Sequence, residues 1–178
     1  MIAAKSYLGK KVAVMGLARS GQSAAEALKA GGAEVIAWDD DVKKCRESAL
    51  LGKNISDLTK EDFTNIDALI LSPGIPHSYP KPHVVAKKAK KANTPIIGDI
   101  EIFVKNFVEP RIIGITGTNG KSTTTALVGH ILRCAGLPVE IGGNIGLPVL
   151  GFENTLDAGY QVLAVSYTHL TLPTKRIV

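Results

Sequence analysis

Cysteine is nearly absent from this sequence: Cys45 and Cys134 are the only two in 178 residues. They lack the paired spacing of a zinc site or a disulfide framework, and a reducing cytoplasm fits them. Aromatic residues are equally scarce, at 5%. None is interleaved with the one basic stretch, where Lys81, Lys87, Lys88, Lys90 and Lys91 carry much of the formal charge of +5. Nucleic acid, which needs rings among the cations to stack bases, is therefore not expected as a partner, and the lysines read as a solvated helix face. The positive balance can still favour anionic substrates such as nucleotides. Long apolar runs are missing too. No segment approaches the roughly 18 apolar residues of a membrane span, and the first ten residues hold no signal-peptide core, so neither membrane insertion nor secretion is expected.

What is present is ordinary globular material, 45% hydrophobic and 21% charged, enough for a buried core in one domain or two small ones. Short β-branched runs alternate with Ala/Lys-rich stretches, the pattern of an α/β fold with parallel sheets and crossover helices. The strand Lys11 to Met15 leads through Gly16 to Gly21 into a helix ending near Gly31. A second strand, Ala33 to Trp38, stops at Asp39-Asp40-Asp41. After a less regular polar stretch come a strand at Asp67 to Leu71, the turn formers Ser72-Pro73-Gly74-Ile75-Pro76, the lysine-rich helix and a short strand at Pro95 to Ile97. The cycle restarts near Pro110 with a strand at Arg111 to Ile115 and a helix from about Ser122 to Ala135, capped by Gly136 and stopped by Pro138. A boundary at 110 divides a Rossmann-like domain, 1–110, from a P-loop domain beginning at 111.

Two turns carry phosphate chemistry. Thr116-Gly117-Thr118-Asn119-Gly120-Lys121-Ser122 lies between a strand and a helix, where backbone N–H groups and the helix N-terminus cradle phosphate. Lys121 would reach the β and γ phosphates of ATP, and the Ser122 hydroxyl would hold Mg²⁺. It is a variant P-loop, because Ile115 stands where the strict pattern has glycine. The first turn, Gly16-Leu17-Ala18-Arg19-Ser20-Gly21, is weaker, with alanine for the middle glycine of G-x-G-x-x-G. With Asp39 ending the next strand it suits NAD or a uridine diphosphate. Ser20 could add a hydroxyl contact.

At these residues the sequence resembles the Mur ligases, cytoplasmic enzymes that build the peptide of peptidoglycan. The match is carried by Gly16 to Gly21 with Asp39, by Ser72-Pro73-Gly74-Ile75, by Gly98 to Phe103, and by the P-loop with Gly142-Gly143-Asn144-Ile145-Gly146-Leu147-Pro148. The resemblance implies that Gly16, Arg19, Ser20 and Gly21 hold the UDP group of UDP-N-acetylmuramoyl-L-alanine, with Asp39 and Asp40 near the uracil and Ser72, Pro73 and Gly74 lining the same site. Asn144 would contact the muramoyl end; a tight turn with Asn144 in a left-handed conformation is the alternative. The implied reaction attaches D-glutamate through an acyl phosphate formed with ATP and Mg²⁺, in an enzyme that is monomeric when full-length.

The resemblance covers roughly residues 7–165 and then departs. Ala164 stands where the family has a metal-binding glutamate, and residues 166–178 match nothing in it. That tail is read as translated cloning or adapter sequence joined to a truncated gene. Residues 111–165 are then only the start of the ATP-binding domain, and the chain alone is not expected to ligate. Its second sheet should leave Ile112, Ile113, Ile141 and Val162 partly exposed. An NAD-dependent oxidoreductase and a non-catalytic nucleotide-binding module remain the rival functions. Asp99 and Glu101 read as the acidic start of a short helix, and the four histidines receive no chemistry.

Overall fold

The computed structural model describes residues 2–79, 81–106, 111–152 and 159–165. Two parallel sheets organise them, in agreement with the α/β expectation. The first contains β1 (Lys11–Met15), β2 (Glu34–Trp38), β3 (Ala68–Leu71) and β4 (Ile96–Ile97), in the order β2-β1-β3-β4. The second contains β5 (Arg111–Ile115), β6 (Val139–Gly143) and β7 (Tyr160–Ala164), in the order β5-β7-β6. The boundary expected at 110 falls in 107–110, and the unmatched tail is 166–178; both lie outside the described residues.

In β1 every second side chain explains the layering. Val12 and Val14 join a core with α1 (Arg19–Ala30) and α4 (Asp99–Lys105), whereas Ala13 and Met15 join a second core with α3 (Val84–Lys91). A strand covered on both faces needs apolar residues throughout, and β1 has them at four of its five positions. Helix α1 buries Ala24, Ala27 and Leu28 on one stripe and ends at Gly31. The stretch expected to be irregular holds a further helix, α2 (Val42–Leu50). Its cap is Asp41, whose carboxylate accepts the Lys43 N–H at 3.0 Å, so the acidic triplet ends on a helix start.

The lysines of α3 are not all solvated. Lys88 Nζ donates to the carbonyls of Thr59 at 2.8 Å and Glu61 at 2.6 Å, and Lys90 Nζ donates to that of His77 at 2.7 Å. Each head reaches over its helix to a loop carbonyl that has no ladder partner there, a role that spacing alone did not disclose. Replacing Lys88 by alanine strips two carbonyls of a charged donor and is expected to cost about 2 kcal/mol in urea unfolding, while Lys87→Ala leaves the midpoint unchanged.

The second sheet has two dissimilar faces. Leu163 and Val165 point toward the first sheet and share the core beneath α1 and α4, together with Val149, Leu150 and Phe152. Phe152 meets Phe103 edge to face, centroids 5.9 Å apart, and the Ile2 N–H donates to the Leu150 carbonyl at 3.1 Å. On the other face lies α5 (Lys121–Cys134), where Gly129 leaves room for Ile141. Ile112, Ile113 and Ile141 are half-buried as expected. Val162 is not exposed at all, because it lies on the central strand beneath α5. On the outside of α5, Leu127 and Ile131 are more than half exposed. Among the described residues no helix is long and apolar enough to cross a membrane.

Candidate functional site

The order β2-β1-β3 places the C-terminal end of β1 between two neighbouring strand ends, where parallel α/β sheets form a crevice. The first turn occupies this point. The Gly16 N–H donates to the Trp38 carbonyl at 2.8 Å, and α1 begins at Arg19 with no side chain capping it. Its first N–H groups therefore lack a partner of that kind, which suits an anion. Gly21 is dictated by close approach, since a Cβ there would lie 1.8 Å from the Gly16 carbonyl oxygen.

Asp39 lies beneath the turn, not in front of it. Its carboxylate accepts the Leu17 N–H at 2.6 Å and the Asp41 N–H at 2.9 Å, with Lys44 Nζ at 3.5 Å. Burial is the largest single influence and pushes its pKa up, but the two amides and the ammonium together outweigh it. The carboxyl is held below its ordinary value of 3.8. A pKa lowered by folding stabilises the native state above the unfolded value, and that contribution disappears as pH falls through the native one. The stability difference between the native chain and Asp39→Asn is therefore expected to be constant near neutrality and to shrink below about pH 4. Thermal melts across that range measure it.

Asp40 is exposed and pairs with His83, Nε2 to Oδ2 at 3.0 Å, while His83 Nδ1 accepts the Val85 N–H as the cap of α3. His83 has a structural role here, and Asp40 stands apart from the cleft described next.

A cleft of about 240 Å³ opens between the two sheets. It gathers Arg19, Ser20, Ser72, Pro73 and Asn144 from the residues singled out in the sequence, and adds Ala18, Gly143, Gly146 and Pro148. Gly74 is near in sequence but is not part of its lining. The Arg19 guanidinium spans the gap to donate to the Gly146 carbonyl. Asn144 does not take the left-handed conformation; the positive φ values are those of Gly143 and Gly146. Its backbone is fixed by an N–H donated to the Ala164 carbonyl at 2.9 Å. The added glycines and proline lay within the motif from Gly142 to Pro148, so chain pattern held the signal. Ala18 carried none, being read only as a departure from glycine.

The P-loop runs from β5 into α5. Gly117 and Gly120 both have positive φ, and Gly120 is the cap of α5, again without a side-chain cap bond. Ile115, the residue at variance with the strict pattern, ends β5 in register with Ala164. Lys121 Nζ folds back on the carbonyls of Gly117 and Thr118. Thr116, Thr118, Asn119 and Ser122 are exposed. This arrangement of turned backbone, lysine and hydroxyl fits a triphosphate. For a divalent cation the loop offers hydroxyls, Ser122 at the start of α5 among them; among the described residues no cluster of three acidic, histidine or cysteine side chains could hold a metal. Ala164, beside the foot of the loop, offers a methyl. At the acidic start of α4, Glu101 accepts the Gly98 N–H at 3.0 Å, a capping role.

No family model matches the chain. Curated relatives do. The UDP-N-acetylmuramoylalanine–D-glutamate ligase of Caulobacter sp. (strain K31) is 47% identical over 97% of this chain and 38% of that protein. Those of Phenylobacterium zucineum (strain HLK1) and Rhodopseudomonas palustris are 46% and 45% identical over the same shares. The chain thus spans about two fifths of the length of these relatives. Among solved structures, a UDP-N-acetylmuramate:L-alanyl-gamma-D-glutamyl-meso-diaminopimelate ligase from Neisseria meningitides overlaps 89% of this chain and 52% of its own, at 19% identity and a TM-score of 0.49. A shikimate dehydrogenase from Aquifex aeolicus overlaps 55% and 45%, at 14% identity and 0.44. Identity approaching one residue in two, sustained over 97% of this chain, leaves one conclusion: the chain is similar to part of a UDP-N-acetylmuramoylalanine–D-glutamate ligase.

Proposed function

We propose that this chain is the leading part of a ligase that adds D-glutamate to UDP-N-acetylmuramoyl-L-alanine at the expense of ATP, with residues 1–110 receiving the UDP substrate and 111–165 beginning the ATP-binding domain. The observation that carries this reading is the cleft itself, lined by Arg19 and Ser20 from the first turn and by Asn144 from the second sheet. The P-loop leaves the same edge of that sheet. The ends of β5, β7 and β6 align at Ile115, Ala164 and Gly143, so two strand spacings, about 10 Å, separate the loop from the Asn144 turn. A substrate anchored by its diphosphate at α1 can extend past Asn144 toward a γ-phosphate at α5.

In this reading Arg19 exchanges the Gly146 carbonyl for a phosphate oxygen, and Ser20 adds a hydroxyl. Lys121 leaves the loop carbonyls for the β and γ phosphates, where it neutralises charge as the alanyl carboxylate attacks the γ-phosphorus of ATP, the bond to the β-phosphate breaks, ADP leaves and an acyl phosphate forms. The D-glutamate amine then displaces phosphate. Such transfers depend chiefly on positioning and charge neutralisation. Ser122 would hold Mg²⁺, which supplies Lewis-acid polarisation of the phosphates when bound. A cytoplasmic location accompanies this substrate.

Calorimetric titration of the chain with UDP-N-acetylmuramoyl-L-alanine, ATP and NAD tests the proposal. The first two should bind and NAD should not; preferential binding of NAD would refute it. Lys121→Ala should weaken ATP about tenfold, the loss of one charge-assisted contact, and leave the UDP ligand untouched.

A further inference from the structure

We propose that Asp39 and Ser72 are positioning residues, bracing the first turn from its two sides in the shape that receives a diphosphate, and that neither side chain touches the ligand. The inference rests on the reading of that turn as an anion site. Asp39 follows β2 and Ser72 follows β3, the two strands flanking β1. Both residues are buried, at 8% and 7% exposure. Each oxygen of Asp39 already has a partner, Oδ2 taking the Leu17 N–H and Oδ1 the Asp41 N–H. Ser72 Oγ donates its only hydrogen to the Gly16 carbonyl at 2.8 Å, and the Ser72 N–H donates to Met15 at 2.9 Å. A Cβ built on Gly16 would lie 2.7 Å from Ser72 Cβ, so no ligand atom fits between them.

This bracing has a consequence for selectivity. In dinucleotide-binding domains the acid after the second strand accepts the ribose hydroxyls. Here that carboxylate is turned inward and engaged, so the ribose goes unread at this position. Recognition falls to the N–H groups at the start of α1, to Arg19 and to Ser20. The ligand class selected is then a diphosphate, with the nucleoside contributing elsewhere.

Two measurements on the 178-residue chain decide the matter. Amide exchange without ligand should show a protected Leu17 N–H that Asp39→Ala speeds at least tenfold, with amides of β3 unchanged and Asp39→Asn recovering part of the protection. Titration with inorganic pyrophosphate and with UDP should show Asp39→Ala and Ser72→Ala weakening both probes by one common factor, about tenfold. A loss of UDP affinity with pyrophosphate spared would mean a ribose or base contact and would overturn the proposal, as would unchanged exchange at Leu17. If the native chain binds neither probe, the anion-site reading falls and the ligand half of this inference with it. Loss of Leu17 protection in Asp39→Ala would then still establish the bracing.

Discussion

Gly21→Ala is expected to lower the stability of the chain by about 3 kcal/mol or more and to abolish anion binding at the first turn. The added methyl would lie 1.8 Å from the Gly16 carbonyl oxygen, 2.6 Å from Ser72 Oγ and 2.9 Å from the Gly16 carbonyl carbon. Two of these three atoms are backbone. They cannot retreat, because Gly16 is tied through its N–H to Trp38 and through its carbonyl to Ser72. Relief must come from shifting α1 or opening the turn, and either change misaligns the N–H groups offered to the ligand. Gly21 has an ordinary helical backbone, so overlap alone sets the cost. Gly114→Ala is the matched control: its methyl would meet only Val165 Cγ2 at 3.5 Å, an ordinary contact. Thermal melts should separate the two variants by on the order of 10 °C.

Phe152→Ala should be at least as costly, about 3–5 kcal/mol, the usual range for a fully buried phenylalanine. Phe152 is 1% exposed, lies edge-on to Phe103 and covers Gly142, where even a single Cβ would approach its ring within 2.5 Å. It therefore joins α4, which packs on the first sheet, to β6 of the second sheet. The cavity left behind would loosen the segment from Gly146 to Pro148, which forms one wall of the cleft. Weaker diphosphate binding should accompany the lower urea midpoint, with an unchanged slope if unfolding stays two-state.

Strands and helices with strong local patterns were legible in the chain. β1 and β5 have the bounds read from their apolar runs, and α5 differs by one residue at each end. α2 escaped notice because it is short and polar, with only Cys45 and Ser48 buried, so periodicity was faint and the Asp41 cap was the sole clear signal. β6 was legible only through Ile141, placed in the second sheet, and its bounds were not, because two of its five residues are glycine, which propensity assigns to turns. At the site, residue type and spacing located the first turn and the P-loop, and the structure brings Arg19, Ser20 and Asn144 into one cleft. What spacing could not disclose is which polar groups the protein itself uses. Asp39 and Ser72 look in sequence like the other hydroxyls and acids of the site, and only the direction of their bonds separates them from Arg19 and Ser20. The same holds for Lys88 and Lys90, whose partners lie about 10 to 30 positions away.

The strand order of the second sheet sets a timetable for its assembly. Among the described residues β5 and β6 do not pair with each other; the strand that each pairs with is β7, the last of the three to be made. During synthesis, which runs at about 5–20 residues per second, both outer strands leave the ribosome with no ladder to join. The first sheet can close as soon as β4 appears, since its partners all precede it. From then until β7 arrives, the P-loop strand and the Asn144 strand must wait with their backbone hydrogen bonds open to water or to a neighbouring chain. On the proposed reading, nucleotide capture at the P-loop is thus a late event in the life of the nascent chain, after the turn of the first sheet has been formed.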